Sequence, residues 1–351
     1  GEIAGFKIFF DEKFGDILNN NYKKIIKGQI SQNMTVNVEN FLSAPDESLF
    51  LKPNFDDKGQ FTNLYISWGE TNIGVFSKGN EILRPKISAI YDNNLINSDQ
   101  VDQILKKMEV WFQHTFLQKV DLSNSLEKFS SSPEERSFIF KLIENQYNFY
   151  QLNILDEFKK IDVIKRKEIH SLNFRLGKNV IFNSELIRPE LMKLKFYLWN
   201  IFYEENFNID FYIPKDGNAT LGTQQSLNLN LVTFLGFIFQ NKLLIRIDIF
   251  NEFEKQLFKR ENRGPFSLPV DLSNLLGIKK EKLIDILKDR SYSMQEIEEN
   301  DFLISKKITI NKKVTSKKSK EMYEKKTKKN TKSSKKLFNN PFDQLKNINA
   351  K

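Results

Sequence analysis

Beyond Ile310 the chain runs short of the apolar residues that a fold needs. Between Lys312 and Lys336 stand twelve lysines, at Lys312, Lys313, Lys317, Lys318, Lys320, Lys325, Lys326, Lys328, Lys329, Lys332, Lys335 and Lys336, against Glu321 and Glu324. Such a segment cannot offset the entropy lost on ordering, so residues 312–351 are expected to form a disordered basic tail. The net charge of +9 divides accordingly. The lysine segment carries +10, and all other residues sum to 9 − 10 = −1. A flexible run of this charge releases counterions from a polyanion and binds it without sequence preference, which makes the twelve lysines candidate contacts to RNA or another single-stranded nucleic acid. The alternative is that they only solubilise. After the lysines, Leu337-Phe338 and Phe342 to Leu345 form a short apolar patch, and Phe342 and Leu345 are candidate docking residues for a protein partner.

With 40% apolar and 13% aromatic residues over 351 positions, the rest of the chain has ample material for a core. Its length suggests two folded units before the tail, at residues 1–122 and 123–311. Cysteine is absent, which excludes disulfides, thiolate nucleophiles and cysteine-ligated metals, and fits a reducing cytoplasm. The two histidines, His114 and His170, are far apart and in no HExxH pair, so a metal centre is not expected. The longest apolar stretch, Leu227 to Phe239, is short and contains Asn228 and Asn230. No membrane span is expected, and the reading is of a soluble, cytoplasmic protein. Gly1 leads almost at once into the strand-like GFKIFF and reads as a fragment boundary or a processing site.

The expected fold class is α+β. A strand at Gly5 to Phe10 precedes a helix over Phe14 to Phe41. Short β-type runs at Leu49–Leu51, Leu64–Trp68, Ile73–Ser77 and Lys86–Ile90, broken by Gly69, Gly79 and Arg84-Pro85, make a small antiparallel sheet. Val101, Ile104, Leu105, Met108, Trp111, Phe112 and Leu117 keep helical spacing, laying a long helix over that sheet. Ser132-Pro133-Glu134-Glu135 opens a further helix through a capping box, and its periodicity runs on through Phe138, Leu142, Tyr147 and Leu155. The region from residue 123 to 311 is expected to be mainly helical. It includes an alternating run at Phe207–Ile213, a β pair at Phe234–Phe239 and Leu243–Ile245, and a helix over Asp248–Arg260. Residues 266–292 have the pattern of a helix-turn-helix, with Leu272, Leu275 and Leu276 on one helix, Gly277 at the turn and Leu283, Ile286 and Leu287 on the next. Phe302 to Ile310 supplies a wing strand. Glu281, Asp285 and Asp289 among Lys279, Lys280, Lys282 and Lys288 suit a packing module better than a base reader.

Phosphate loops of the GxxxxGK[ST] type, GxGxxG after a strand and GxSxG elbows are all missing, and the acidic pairs read as solvated charges. The centre of the chain is Ile169 to Phe202. There an approach containing Arg175 meets a Gly177-Lys178 turn, a strand at Val180-Ile181-Phe182 and a helix opening at Arg188-Pro189, where proline suits the first helical position. Gly177 is expected to supply backbone freedom at the turn. Arg175, Lys178 and Arg188 are candidate phosphate contacts, with packing or surface cations as the alternative.

The order of these segments resembles the C-terminal half of the alphaproteobacterial DEAD/DEAH-type superfamily-two helicases related to the mitochondrial RNA-degradosome helicase. GEIAGFKIFF is similar to the family's G-x-L-x-GFRF segment, Ser43 to Leu49 to its A-A-P-D-x-x-F stretch, and Ile82 to Ile87 to its L-[KR]-P-[RK]-V turn. Arg175, Gly177, Ile181, Phe182, Leu186, Ile187, Arg188, Pro189 and Trp199 fall in register with V-R-F-G-x-x-x-I-Y-L-P-x-L-L-K-P and the helix after it. Residues 266–292 are similar to its late LLG unit, and Asn340 to Leu345 to its closing S-P-F-x-x-L. Asn183-Ser184 stands where the family has Leu-Pro.

The resemblance implies an accessory C-terminal region of an ATP-dependent RNA helicase. ATP and magnesium belong to motor domains upstream in the same protein, no cofactor is held by this chain, and this piece is inactive alone. The rival reading is a stand-alone protein-interaction scaffold. From composition alone we expect limited proteolysis to clip residues 312–351 early and to spare residues 1–311; equal protection of both, read by mass spectrometry of the digest, would contradict a disordered tail.

Overall fold

In the computed structural model, which describes residues 2–3, 6–7, 20–90, 96–215, 218–223, 227–298 and 301–306, the chain alternates small antiparallel sheets with helices. Of the strand read at Gly5 to Phe10, Phe6 and Lys7 are described. The lysine segment, Phe342 and Leu345 lie outside the described residues.

A short pair, β1 (Glu2–Ile3) and β2 (Phe6–Lys7), precedes α1 (Asn20–Ser43). Then β3 (Leu49–Phe55), β4 (Phe61–Trp68), β5 (Thr71–Glu81) and β6 (Arg84–Ala89) form a four-stranded meander in sequence order. Helix α2 (Ser98–Phe112) buries Val101, Ile104, Met108, Trp111 and Phe112, and packs on this sheet so closely that a Cβ on Gly74 would lie 2.6 Å from Met108 Sδ. It also ends α1. Lys107 Nζ donates to the carbonyls of Phe41, Leu42 and Ala44 at 2.5–2.9 Å, closing the C-terminal end of the helix. The expected helix through Leu117 continues as a π-helical turn, Gln113–Leu117, and then α3 (Gln118–Val120).

Next come α4 (Ser123–Glu127) and α5 (Pro133–Glu144), the latter opened by the reciprocal Ser132–Glu135 capping box that the sequence indicates. Glu135 also receives Lys165 Nζ at 2.6 Å, and this contact holds its carboxyl below the usual range. The helical periodicity does not carry on through Tyr147. Gln146 and Tyr147 take left-handed backbone angles, which turns Tyr147 inward so that its hydroxyl accepts from the Leu122 N–H at 3.0 Å. The chain then makes β7 (Phe149–Tyr150), α6 (Ile154–Phe158), α7 (Val163–Ser171), β8 (Phe174–Leu176) and β9 (Val180–Asn183), with sheet order β7-β9-β8.

Helix α8 (Pro189–Tyr203) follows, with proline at its start as expected and nine buried residues. The alternating run at Phe207–Ile213 forms a 3-10 turn, Ile209–Phe211, because Asn208 accepts from the Asp210 N–H and caps it. A third sheet, β10-β12-β11, is made by β10 (Thr220–Gly222), β11 (Phe237–Gln240) and β12 (Leu243–Arg246). Between them lies α9 (Leu229–Leu235), framed by the Asn228 cap and left-handed Gly236; it takes up Phe234 and Leu235, which the sequence assigns to a strand.

The last unit is α10 (Ile247–Glu261), β13 (Phe266–Ser267), α11 (Val270–Leu276), α12 (Lys280–Asp289), β14 (Tyr292–Glu298) and β15 (Asp301–Lys306), with sheet order β13-β15-β14. It is a helix-turn-helix followed by a wing hairpin, and Gly277, at φ +63°, makes the turn. Residues 123–306 thus carry three three-stranded sheets as well as helices, and the whole is an α/β mixture of small antiparallel sheets.

Two cores result. The first runs from Met34 to Leu244 and passes residue 122 without a break, so the apolar packing does not divide there. The second gathers α10, α11 and α12 with Tyr292 and Ile304. Strands β9 and β12 serve both, because alternate residues of a strand face opposite ways. Ile181 and Leu244 belong to the first core, while Val180, Phe182, Leu243 and Ile245 belong to the second.

One residue of the first core is a charge carrier. Lys195 on α8 is 1% exposed, and its Nζ has no hydrogen-bond partner and sits 4.6 Å from the centre of the Phe234 ring. Burial brings its pKa down from 10.5 to about 7. The unfolded chain binds this proton up to the higher value and the folded chain only up to the lower, so stability rises with pH between them, by about 1.4 kcal/mol per pH unit. Below the lower value the full penalty is present. We expect Lys195→Met to raise the unfolding free energy at neutral pH by about 3–5 kcal/mol and to flatten its dependence on pH above 7, in denaturant titrations across that range.

Candidate functional site

A cleft of about 970 Å³ opens where the second core meets the β7–β9 sheet. Its first wall carries Tyr150, Leu152 and Asn153 and the turn between β8 and β9, Gly177 to Asn179; its second carries α10 residues from Asn251 to Glu261; Arg290, Tyr292 and Lys306 close the end. The turn is closed by the Gly177 N–H donating to the Val180 carbonyl at 2.9 Å. Gly177 is needed here for space. A Cβ there would overlap Asn251 Oδ1 on α10 and stand 2.9 Å from Val180 Cγ2, and its φ is not in the left-handed region, so the backbone freedom expected of it is not used.

Three of the cleft's four carboxylates are engaged from within. Glu254 is paired with the Arg290 guanidinium and accepts from Asn179 Nδ2 at 3.4 Å, and Arg290 lies over the rings of Phe250 and Phe253. Glu261 accepts from the Tyr292 hydroxyl at 2.5 Å and pairs with Lys306 Nζ at 2.7 Å. Burial, with Glu261 alongside, pushes the Tyr292 hydroxyl up; burial does the same to Tyr150. Asp156 pairs with Lys159 at 3.3 Å, and Asp289 is exposed at the end of α12. Lys178 differs from the other cations. Its Nζ stands 4.6 Å from the centre of the Phe258 ring, and no carboxylate among the described residues pairs with it.

Of the three cations singled out around the central turn, the structure brings only Lys178 into this cleft. Arg175, on β8, is exposed and donates to the Phe174 carbonyl at 3.2 Å; Arg188 is exposed and pairs with Glu185 at 2.7 Å. His114 Nδ1 lies 3.3 Å from Gln118 Nε2, and His170 Nδ1 lies 3.1 Å from the Phe174 carbonyl with its ring edge-on to Phe158. Among the described residues, no three His, Asp or Glu side chains are gathered as a metal site would need, and no helix is long and apolar enough to cross a membrane.

On the helix-turn-helix unit, the outward residues of α12 remain exposed: Lys280, Lys282 and Lys288 alternate with Glu281, Asp285 and Asp289. The neighbouring strand β14 exposes Gln295, Glu296 and Ile297. This mixed surface lacks the basic excess that phosphate contacts require.

Asn183, which stands where the helicase-like pattern has leucine, is a built joint. It is buried, its Nδ2 donates to the Leu172 carbonyl at 2.7 Å, its Oδ1 accepts from the Glu185 N–H at 3.0 Å, and its own N–H donates to Asn148 Oδ1 at 3.1 Å. These bonds fix the corner between β9 and α8.

Tyr150, Phe258, Arg290 and Lys306 did not stand out in the sequence, because the cleft draws on positions more than 150 residues apart and no local spacing joins them. With known proteins there is no match to any family model, curated protein or solved structure.

The close approach at Gly177 is testable. Gly177→Ala should lower the unfolding free energy by about 1–3 kcal/mol through overpacking, and Asn251→Ala in the same chain should recover part of the loss. Thermal melts of the two variants beside the parent check both.

Proposed function

We propose that this chain is an accessory region of an ATP-dependent RNA helicase that holds single-stranded nucleic acid, without sequence preference, through the lysines between Lys312 and Lys336. The observation that carries the reading is the separation of charge, +10 on the lysine segment against −1 on everything else. A neutral folded body offers a polyanion little; a run of twelve lysines offers dense, movable charge. The helicase context is supported by the ordered likeness of the sequence segments, and the ATP-driven step is assigned to motor domains preceding this region. The mixed charge on α12 and β14 supports a packing role for the helix-turn-helix unit, against the motor or another protein surface. The same mixture supports the scaffold alternative, in which the lysines only keep the protein in solution.

Fluorescence anisotropy with a labelled single-stranded RNA separates these. We expect affinity to fall steeply with salt, the log–log slope reaching several units at about −0.7 per neutralised phosphate. Replacing the twelve lysines with glutamine should remove most of the binding and most of the slope. Undiminished binding by that variant would rule out the lysine segment as the handle and favour the scaffold.

A further inference from the structure

We propose that the cleft between the Gly177–Asn179 turn and α10 is a second contact for the same strand, seating one or two nucleotides with a phosphate on Lys178 and a base against Phe258 or Tyr150. This rests on the nucleic-acid reading and adds to it a site on the folded body.

Three observations converge. The first is electrostatic. Of the lining carboxylates, Glu254, Glu261 and Asp156 are each occupied by a cation and Asp289 is exposed at the end of α12, while Lys178 has only the Phe258 ring beneath it. An ammonium held over a ring is fixed in position and keeps its charge for an incoming anion. The second is the rim. Phe258 is 44% exposed, Tyr150 39% and Leu152 67%, which is large apolar surface left open beside a polar cleft. Partly exposed aromatic side chains next to a lysine are the elements of single-strand binding, where bases stack and the backbone follows the charge. An acidic peptide would meet the same lysine and leave the rings unused. The third is size. About 970 Å³ lies at the upper end of the roughly 300–1,000 Å³ of ligand sites, enough for more than a single base.

Connectivity strengthens the case. Lys306 lines the cleft, and Lys307, Lys312 and Lys313 follow it closely in sequence.

The test uses the full chain and an eight-nucleotide RNA carrying 4-thiouridine for cross-linking and 2-aminopurine to report stacking. We expect cross-links on peptides containing Tyr150 or Phe258 as well as beyond residue 306. Lys178→Glu should abolish the former, spare the latter and weaken binding about tenfold; Phe258→Ala should abolish the 2-aminopurine quenching. Both side chains are partly or wholly exposed, and circular dichroism spectra of the variants, expected to match the parent's, check that they fold. Cross-links confined to residues after 306 and indifferent to Lys178→Glu would overturn the cleft site while leaving the lysine segment as the handle. An RNA that fails to bind the full chain would overturn both. Protection of Lys178 from acetylation by polyglutamate but not by RNA would make this an acidic-peptide site and also overturn the proposal.

Discussion

Helix α8 is buried on every side, and the first core is arranged around that fact. It touches β4, β5 and β6 on one flank and α9 on another, so the meander and α9 meet across it. A helix that is apolar all round has no solvent face to fix its rotation, and its ends must do so. Pro189 starts it after the Asn183 corner, and left-handed Glu204 stops it. Asn200 then ties the helix to the returning chain, donating to the Phe196 carbonyl and accepting from the Phe207 N–H at 2.9 Å. Within this frame Lys195 and Trp199 leave a polar nitrogen each without a partner, both beside Phe234. Unpaired polar atoms are costly in a packed interior, so this part of the first core carries a cost that apolar side chains there would not.

The second core depends on the first through polar as well as apolar contacts. Arg290, at the end of the helix-turn-helix, reaches Glu254 on α10, and Glu254 in turn receives Asn179 from the β8–β9 turn. Three segments are joined by one carboxylate that is almost fully buried. The cleft is what remains open beside this joint, and its geometry therefore follows from how α10 seats against the turn at Gly177.

Much of the fold was legible where single residues punctuate the chain. Gly69 separates β4 from β5, Ser132 and Glu135 cap α5, Pro189 opens α8 and Gly277 turns between α11 and α12, each by a local rule that needs no tertiary context, whereas Gly79 and Arg84-Pro85, read as breaks, lie inside β5 and at the start of β6 around a turn at Ile82-Leu83. Legibility failed where tertiary contacts decide. Nothing in the sequence near Tyr147 announces a left-handed tyrosine, because its reason is a hydroxyl partner at Leu122. At Asn208 the deciding contact is local, a side-chain cap to the Asp210 N–H that overrides the alternating pattern. Lys195 carries no outward sign of burial, since lysine in a helix normally keeps its amine in water. Around the central turn, residue type singled out Arg175, Lys178 and Arg188 together, yet only folding distinguishes the lysine that enters the cleft from two arginines that do not.

Strands β9 and β12 serve two cores at once. A domain whose core is closed on itself can be moved between proteins during evolution as an independent cassette. The helix-turn-helix unit here cannot, because Val180, Phe182, Leu243 and Ile245, which complete its interior, are encoded well before it and alternate with residues that another interior needs. A change of volume at any of the four is felt by the C-terminal helices, and a change of register flips all of them to the wrong side. The unit and the wall it leans on therefore fold as one body, and a chain cut at the start of α10 would leave the C-terminal helices with an open interior.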